Sequence, residues 1–248
     1  MVDYVELVTK FVKDLQVDDI CESHLWQGDF VEISCKKFLI IVYFPNTKKR
    51  DFSKETSVVH LDIDVLLASY EKVLYRIKGL HNIGKRIYAR QTVVARVDKK
   101  VCIDFQNEHH LQTAMPGKYR YGLYDKGELV SLAVFSGGRN MNKESEEKYR
   151  SFELIRFCHK RDVSVIGGLS KLIKSFAKDF KPNDIMTYVD KDWSQKSSLE
   201  TIGFEEVGEL EAREYFIKNG VRYNTLQEDG SYEYSVFNRG SIKLKLHL

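Results

Sequence analysis

The apolar residues of this chain switch repeatedly between a period of two and a period near 3.6, and this alternation constrains the fold more than any other feature. Tyr4, Leu7, Val8, Phe11, Val12 and Leu15 recur at helical spacing and predict a first helix with one buried face. "DFVEISCKKFLIIVYFP" breaks at Lys36-Lys37 into an alternating piece and a continuous apolar piece, predicting a hairpin whose second strand is central. "SVVHLDID" reads as a strand, and "VLLASYEKVLYRIKGL" as a helix that stops at Gly79 before the "NIG" turn. Together these predict a small α/β unit ending near Gly84.

The pattern changes from Ile87, so two domains are expected, 1–84 and 85–248. "IYARQTVVARV" is a β-type run and "KKVCIDFQNEHH" a helix. "YRYGLYDKGELVSLAVFSGG" is a hairpin turning through Asp125-Lys126-Gly127, and the polar "RNMNKESEEKY" reads as a mobile loop. "SFELIRFCHK" is a strand, "GLSKLIKSFAKDF" a helix closed by Pro182, "DIMTYVD" a strand and "SQKSSLETIGF" a short helix. "REYFIKNGVRY" reads as a further hairpin, and "GSIKLKLHL" alternates as a strand does. The expected class is α/β throughout, with no internal repeat.

A length of 248 residues suits one large domain or two small ones, and 43% hydrophobic with 30% charged residues excludes a disordered chain. A net charge of +3 permits an anionic partner without indicating one. Cys21, Cys35, Cys102 and Cys158 show no metal-ligand spacing and read as reduced, mostly buried thiols. No membrane span and no leader-like apolar region is evident, so a cytoplasmic protein without a membrane partner is expected. Composition does not constrain the oligomeric state.

"VIGGLSKLIKSF" sets two glycines where a helix should begin, and two explanations are open. Glycine reaches positive φ without steric cost, which suits a tight turn. The first amides of a helix lack intrahelical partners, which suits a phosphate. In the second case Ile166, Gly167, Gly168, Leu169 and Ser170 bring amides to a diphosphate, with the Ser170 hydroxyl and the Lys171 cation beside them.

The element order of the second half is similar to the GNAT acyltransferase fold, in which a central strand feeds a glycine-containing turn that holds the pyrophosphate of acyl-CoA. "KRIYARQTVVARV", "NEHHLQ", "YGLYDKGELVSLAVF", "FELIRFCHKRDVSVIGGLSKLIKSF" and "YVDKDWS…IGF" resemble the C-terminal region of phage Hef-like homing endonucleases, a region itself similar to Mom, which modifies adenine in DNA. The resemblance runs from about Lys85 to the C-terminus. It implies acetyl-CoA or another acyl-CoA as cofactor and DNA as partner.

The N-terminal half resembles the Vsr-type or restriction-endonuclease-like domain of the same proteins. Such nucleases hold Mg²⁺ on carboxylates of adjacent strands, and the matching positions here are Phe30, with Asp29 one residue away, and Ile41. A one-residue offset turns Asp29 to the opposite face, and Asp62 and Asp64 alone do not rebuild the site. The domain is read as a nuclease relic without a metal site, retained for DNA binding or for packing.

The resemblance and the residues together nominate a site. Arg156, on an apolar strand, needs a carboxylate or a ligand as partner. His110 matches the "HLQG" position of the family, with Thr113 in place of its glycine, and is the candidate general base; His109 reads as a helix-capping histidine. Asp190 ends a strand where open α/β sheets bind ligands, and is the candidate to orient an amine or take its proton. Trp193 is the candidate to stack on a base, and Ser194 is either catalytic or a helix cap. Leu199 stands where many GNAT enzymes have a general-acid tyrosine, which leaves Tyr188 and Tyr215 as alternatives. Basic and aromatic residues interleave in "KRIYARQ", "GKYRYG", "REYF" and "VRYN", and Tyr188, Trp193 and Arg222 are the candidate substrate contacts.

The expected function is acyl transfer from an acyl-CoA to an amine, on a DNA base. One alternative is a catalytically inactive DNA-binding accessory protein derived from a homing endonuclease. A second is an acetyltransferase of a small amine or protein, which would bind CoA without salt-sensitive DNA binding.

Overall fold

The structure is a computed structural model and describes residues 3–51, 57–141, 149–193 and 198–248. Contacts divide the chain into two units. The first comprises Met1–His81, Val189–Ser197 and Glu209–Ile242, and the second Asn82–Tyr188, Ser198–Gly208 and Lys243–Leu248. The first unit thus takes in two later segments besides its N-terminal residues.

In the first unit, helix α1 (Tyr4–Val17) begins where the Asp3 side chain accepts from the amides of Val5 at 2.9 Å and Glu6 at 3.0 Å. It buries Val8, Phe11, Val12 and Leu15, as the spacing predicts. Strands β1 (Cys21–Trp26), β2 (Phe30–Cys35) and β3 (Leu39–Tyr43) run antiparallel in order, and β4 (Val58–Asp62) lies parallel to β3. β3 is therefore central, as its continuous apolar run requires. The single helix expected next is two, α2 (Ile63–Ala68) and α3 (Tyr70–Leu80), because Ser69 leaves helical dihedrals at φ −140° and ψ 36°.

The second unit begins with β5 (Lys85–Tyr88), a 3₁₀ turn (Ala89–Gln91) and β6 (Val93–Arg96), so the run read as one strand belongs to two different sheets. Helix α4 (Lys99–His109) follows, capped by Asp98, whose carboxylate accepts from the Lys100 amide at 2.7 Å. Strands β7 (Tyr119–Asp125) and β8 (Glu128–Phe135) form the expected hairpin. After β9 (Arg139–Asn140) most of the loop read as mobile, 142–148, lies outside the described residues. β10 (Arg150–His159), β11 (Val163–Ile166), helix α5 (Gly168–Phe180), β12 (Asp184–Asp190), a 3₁₀ turn (Lys191–Trp193), α6 (Ser198–Thr201) and β13 (Glu205–Leu210) come next.

β14 (Glu214–Lys218), β15 (Val221–Tyr223) and β16 (Tyr234–Phe237) form an antiparallel sheet of the first unit in the order β15-β14-β16. β17 (Ser241–His247) ends the chain. It lies within the long sheet, ordered β13-β17-β12-β10-β8-β7-β6, to which β9 adds beside β10; β11 pairs in parallel with β5. Helix α5 packs on β7 and β8 through an aromatic core, in which Phe176 stacks on Phe135 at 4.0 Å and meets Phe152 edge-on at 5.1 Å. The class is mixed α/β, and the predicted succession of strand, helix, hairpin, strand, glycine turn, helix and strand is present. No described helix is long and apolar enough to cross a membrane.

Candidate functional site

The two glycines before α5 have separate causes. Gly167 adopts left-handed dihedrals, φ 75° and ψ 8°, a conformation that L side chains resist. Gly168 has no such strain, but a Cβ there would lie 3.1 Å from Val165 Cβ and 3.3 Å from Leu123 Cδ1. Turn geometry and close packing therefore both hold. They leave the helix start bare: no side chain caps it, and its first backbone bond is Lys171 N–H to the Gly167 carbonyl at 3.1 Å. The amides of Gly168, Leu169 and Ser170 precede that bond and lack intrahelical acceptors. Ile166 is 47% exposed, whereas Leu169 is buried. The expected cation is placed otherwise. Lys171 Nζ donates to the Ala89 carbonyl at 2.7 Å and to that of Thr92, so it braces the 3₁₀ turn.

Upstream, β10 and β12 pair in parallel over only three residue pairs, ending at Glu153 and Met186. Beyond that point Thr187 Oγ1 donates to the Leu154 carbonyl at 2.9 Å, a side-chain bond where a ladder would have a backbone one. On its other side β10 carries an irregularity between Leu154 and Arg156 in its pairing with β8. Arg156 Nε and Nη2 donate to the Thr113 carbonyl at 3.2 and 3.1 Å, and Nη1 to the Ile155 carbonyl at 2.8 Å. The partner expected for it, a carboxylate or ligand, is replaced by backbone carbonyls. Burial lowers its pKa, and Glu153 opposes that shift.

His110 follows the last residue of α4, and its Nδ1 accepts the Gln112 amide at 3.0 Å. A neutral imidazole accepting at Nδ1 carries its proton on Nε2, so the lone pair needed by a general base is already used. His159, which the sequence reading passed over, differs. Its Nδ1 lies 3.1 Å from Ser131 Oγ, which donates in turn to the Cys158 carbonyl at 3.4 Å. The proton between the two side chains therefore sits on Nδ1, leaving the Nε2 lone pair as acceptor. Burial lowers the His159 pKa to about 4, which keeps the ring neutral. Its position before the glycine turn was the one available signal.

Asp190, Trp193, Tyr215 and Arg222 fall in the first unit and Tyr188 in the second, so His110 and Asp190 belong to different units. Asp190 Oδ1 accepts from the Asp192 amide at 2.9 Å and so caps the turn Lys191–Trp193. The Arg76 guanidinium stands 4.6 Å from the Trp193 ring centroid. Tyr215 packs against Ile217, Tyr234 and Val236, with the Arg222 guanidinium 5.2 Å from its ring. Arg222, expected at the substrate, instead grips Asp64 through Nε and Nη2 at 2.7 and 2.8 Å, and reaches Asp62 at 2.9 Å. Burial works against its charge, but the two carboxylates outweigh this and hold its pKa above the usual value. Tyr188 is exposed on β12, Leu199 lies in α6, and Ser194 lies outside the described residues.

The same network continues through Lys49, whose Nζ bridges Asp62 at 3.1 Å and Asp192 at 2.7 Å. Asp192 is nonetheless pushed up to about 6 by burial, against the pull of Lys49. Phe30 and Ile41, at the positions where a nuclease would carry carboxylates, form a buried apolar cluster with Tyr43. Asp29 is half exposed, with Arg50 3.8 Å away. Among the described residues no group of three or more His, Cys, Asp or Glu could hold a metal ion.

No family model matches the chain, and no curated protein matches it. Solved structures resemble it in outline. An IAA acetyltransferase from Bacillus cereus is 13% identical with a TM-score of 0.38, covering 63% of this chain and 99% of its own. The polyamine N-acetyltransferase of Drosophila melanogaster, which forms N-acetylagmatine, is 11% identical at 0.41, over 63% of this chain and 100% of its own. A GNAT family acetyltransferase from Elizabethkingia anophelis with acetyl-CoA bound is 10% identical at 0.36, over 64% and 99%. Likeness at this level carries no inference about chemistry or substrate.

Proposed function

We propose that the second unit binds an acyl-CoA and transfers its acyl group to an amine. The observation that carries this reading is the early end of the β10–β12 ladder, which leaves two strand edges without each other and leads by way of β10 to the uncapped start of α5. Unpaired strand edges suit the amides of an extended arm, and bare helix amides suit a diphosphate. Bound there, an acyl-CoA supplies a thioester carbonyl open to attack by an amine. Gly168, Leu169 and Ser170 would donate their amides to the diphosphate, and the edges of β10 beyond Glu153 and of β12 beyond Met186 would hold the arm. His159 keeps its Nε2 lone pair, but a pKa of about 4 makes it a weak base at neutral pH, and His110 already uses its Nδ1 lone pair, so neither histidine is assigned the proton transfer.

The acceptor we infer is the exocyclic amine of a DNA base, in a phage or mobile-element setting. It is supported by the resemblance of residues from Lys85 onward to Mom-like regions and by the interleaved basic and aromatic residues. The reading of the protein as a catalytically inactive DNA-binding accessory is favoured by a different observation: Asp190, Arg222 and Lys171 are all engaged in internal bonds.

Acetyl-CoA should raise the melting temperature of the full chain. Ser170→Asp tests where it binds, because a carboxylate in the first turn suits the helix dipole while repelling a diphosphate. The variant should keep the melting temperature of the unliganded protein and lose the shift. An equal shift in both proteins would exclude α5 as the donor site, and no shift in the wild type would remove the transfer reading. Mass spectrometry of nucleosides from DNA of expressing cells then separates the acceptors: a new base adduct supports DNA, and acetyl-CoA binding without an adduct supports a small amine or protein.

A further inference from the structure

Two of the four cysteines face each other at the free edge of the β1–β4 sheet. Cys21 opens the outer strand β1, and its Cα partner on β2 is Cys35. Antiparallel partners are of two kinds, and the backbone bonds identify this one. The Cys35 N–H points the other way, donating to the Phe38 carbonyl at 3.1 Å, while the Lys36 N–H donates to the Ile20 carbonyl at 3.3 Å, just outside the pair. Cys21 and Cys35 therefore occupy a non-hydrogen-bonded position, where Cα atoms stand about 4.5 Å apart and side chains on one face come closest. Disulfides accept Cα separations of about 4.4–6.8 Å. The ladder shifts register just past Cys21, between Cys21 and Ser23, so the pair stands at the end of the regular part of the ladder.

We propose that Cys21 and Cys35 form a reversible redox pair, closed by a low-molecular-weight disulfide such as oxidised glutathione into a cross-strand disulfide that ties β1 to β2. Both cysteines are free thiols in the structure. Their sulfurs hold only weak contacts, Cys21 with the Ser23 carbonyl at 3.5 Å and Cys35 with the Ile33 carbonyl at 3.8 Å. The reaction is two successive exchanges. The Cys21 thiolate attacks one sulfur of oxidised glutathione, forming a mixed disulfide and releasing one glutathione thiolate. The Cys35 thiolate then attacks the Cys21 sulfur and releases the second. The protein loses two electrons and two protons, and one oxidised glutathione becomes two reduced ones. Cys21 is the natural first attacker, since it starts the edge strand, and β1 is exposed beyond it. Burial raises both thiol pKa values, that of Cys35 to about 12, so closure is slow at neutral pH and faster at alkaline pH.

The test equilibrates the native full chain in glutathione buffers of increasing oxidised fraction, quenches with acid, denatures it and alkylates the remaining thiols. The expected result is loss of two of the four alkylation sites, a peptide pair linked through Cys21 and Cys35, and return of all four sites after dithiothreitol. Cys35→Ser should stop at the first exchange and carry one glutathione on Cys21, adding about 305 Da. Cys102→Ser and Cys158→Ser should leave the linkage intact. Four alkylated thiols at every poise, a link to Cys102 or Cys158, or a glutathione adduct in the wild type that never resolves would each overturn the proposal. Should Cys35→Ser fail to fold, the peptide map of the wild type decides alone.

Discussion

Arg222 holds Asp64 by both carboxylate oxygens, Nε to Oδ2 at 2.7 Å and Nη2 to Oδ1 at 2.8 Å, across 158 positions of sequence. The same guanidinium reaches Asp62, and both carboxylates are almost fully buried. Two aspartates that could suggest a metal site are thus satisfied by an arginine from β15. Removing one partner of a buried pair leaves an uncompensated charge, so Arg222→Met should destabilise the protein by about 3–5 kcal/mol in urea unfolding. Arg222→Lys should recover only part of that, because an ammonium lacks the planar fork. Adding Asp64→Asn to Arg222→Met should cost less than the sum of the two changes. A loss below about 1 kcal/mol for Arg222→Met would show that water already reaches the pair.

His60 supplies the pH-dependent contribution of this network. Arg239 Nη1 donates to its Nε2 at 3.0 Å, so the imidazole proton lies on Nδ1, facing the Tyr43 hydroxyl at 2.8 Å. Protonating Nε2 would set N–H against N–H. Burial first, then Arg239 and Lys49, lower the His60 pKa to about 3. A depressed histidine contributes stability that is present above its unfolded pKa near 6.5 and is lost as pH falls toward about 3. The limiting slope is about 1.4 kcal/mol per pH unit. Asp192, raised to about 6, has the opposite sign: its contribution is full below the unfolded carboxylate range and is lost as pH rises through about 6. Urea titrations from pH 7 to 4 should show a flatter profile for His60→Gln and a steeper one for Asp192→Asn. Parallel profiles for His60→Gln and the wild type would refute the assignment.

Gly167 makes a narrower prediction. A Cβ there would meet only Ala89 Cβ, at 3.7 Å, an ordinary contact, so the cost of Gly167→Ala is conformational. A left-handed alanine should lose about 1–2 kcal/mol, and Gly167→Asn less, since asparagine tolerates this region. Gly168→Ala should show the reverse cause, crowding Val165 and Leu123, and adding Leu123→Val, which removes Cδ1, should relieve part of it. Chemical denaturation of the four variants separates strain from packing. Equal losses for Gly167→Ala and Gly167→Asn would contradict the assignment to φ.

Most elements were legible where periodicity is local. The faces of α1 and α5, the β7–β8 hairpin and strand β12 follow from spacing and turn residues alone. What escaped was tertiary. β11 and β5 are short strands that gain meaning only by pairing with each other, and the break at Ser69 has neither glycine nor proline to mark it. No local signal shows that residues 189–197 and 209–242 join the N-terminal unit. The candidate site divides in the same way. The helix start at Gly168 was readable from two adjacent glycines, but a charged side chain's partner is not written beside it. Arg222, Lys171 and Arg156 looked like ligand contacts because sequence cannot reveal Asp64, the Ala89 carbonyl or the Thr113 carbonyl across the fold. His159 escaped for the converse reason: its neutrality comes from burial beside Ser131, a strand away.

Lys171 distinguishes the two roles open to a lysine at the start of α5. If its ammonium served a diphosphate, its loss would weaken acetyl-CoA binding at unchanged stability. The structure instead engages it with the carbonyls of Ala89 and Thr92, at both ends of the turn between β5 and β6. Lys171→Met keeps the aliphatic stem and removes the charged donor, leaving the two carbonyls without it. It should lower stability by about 1–3 kcal/mol. The melting-temperature rise on saturation with acetyl-CoA should stay within a degree or so of the wild-type rise, whereas Ser170→Asp should abolish it. A Lys171→Met protein of unchanged stability that no longer responds to acetyl-CoA would move the ammonium from the turn to the ligand.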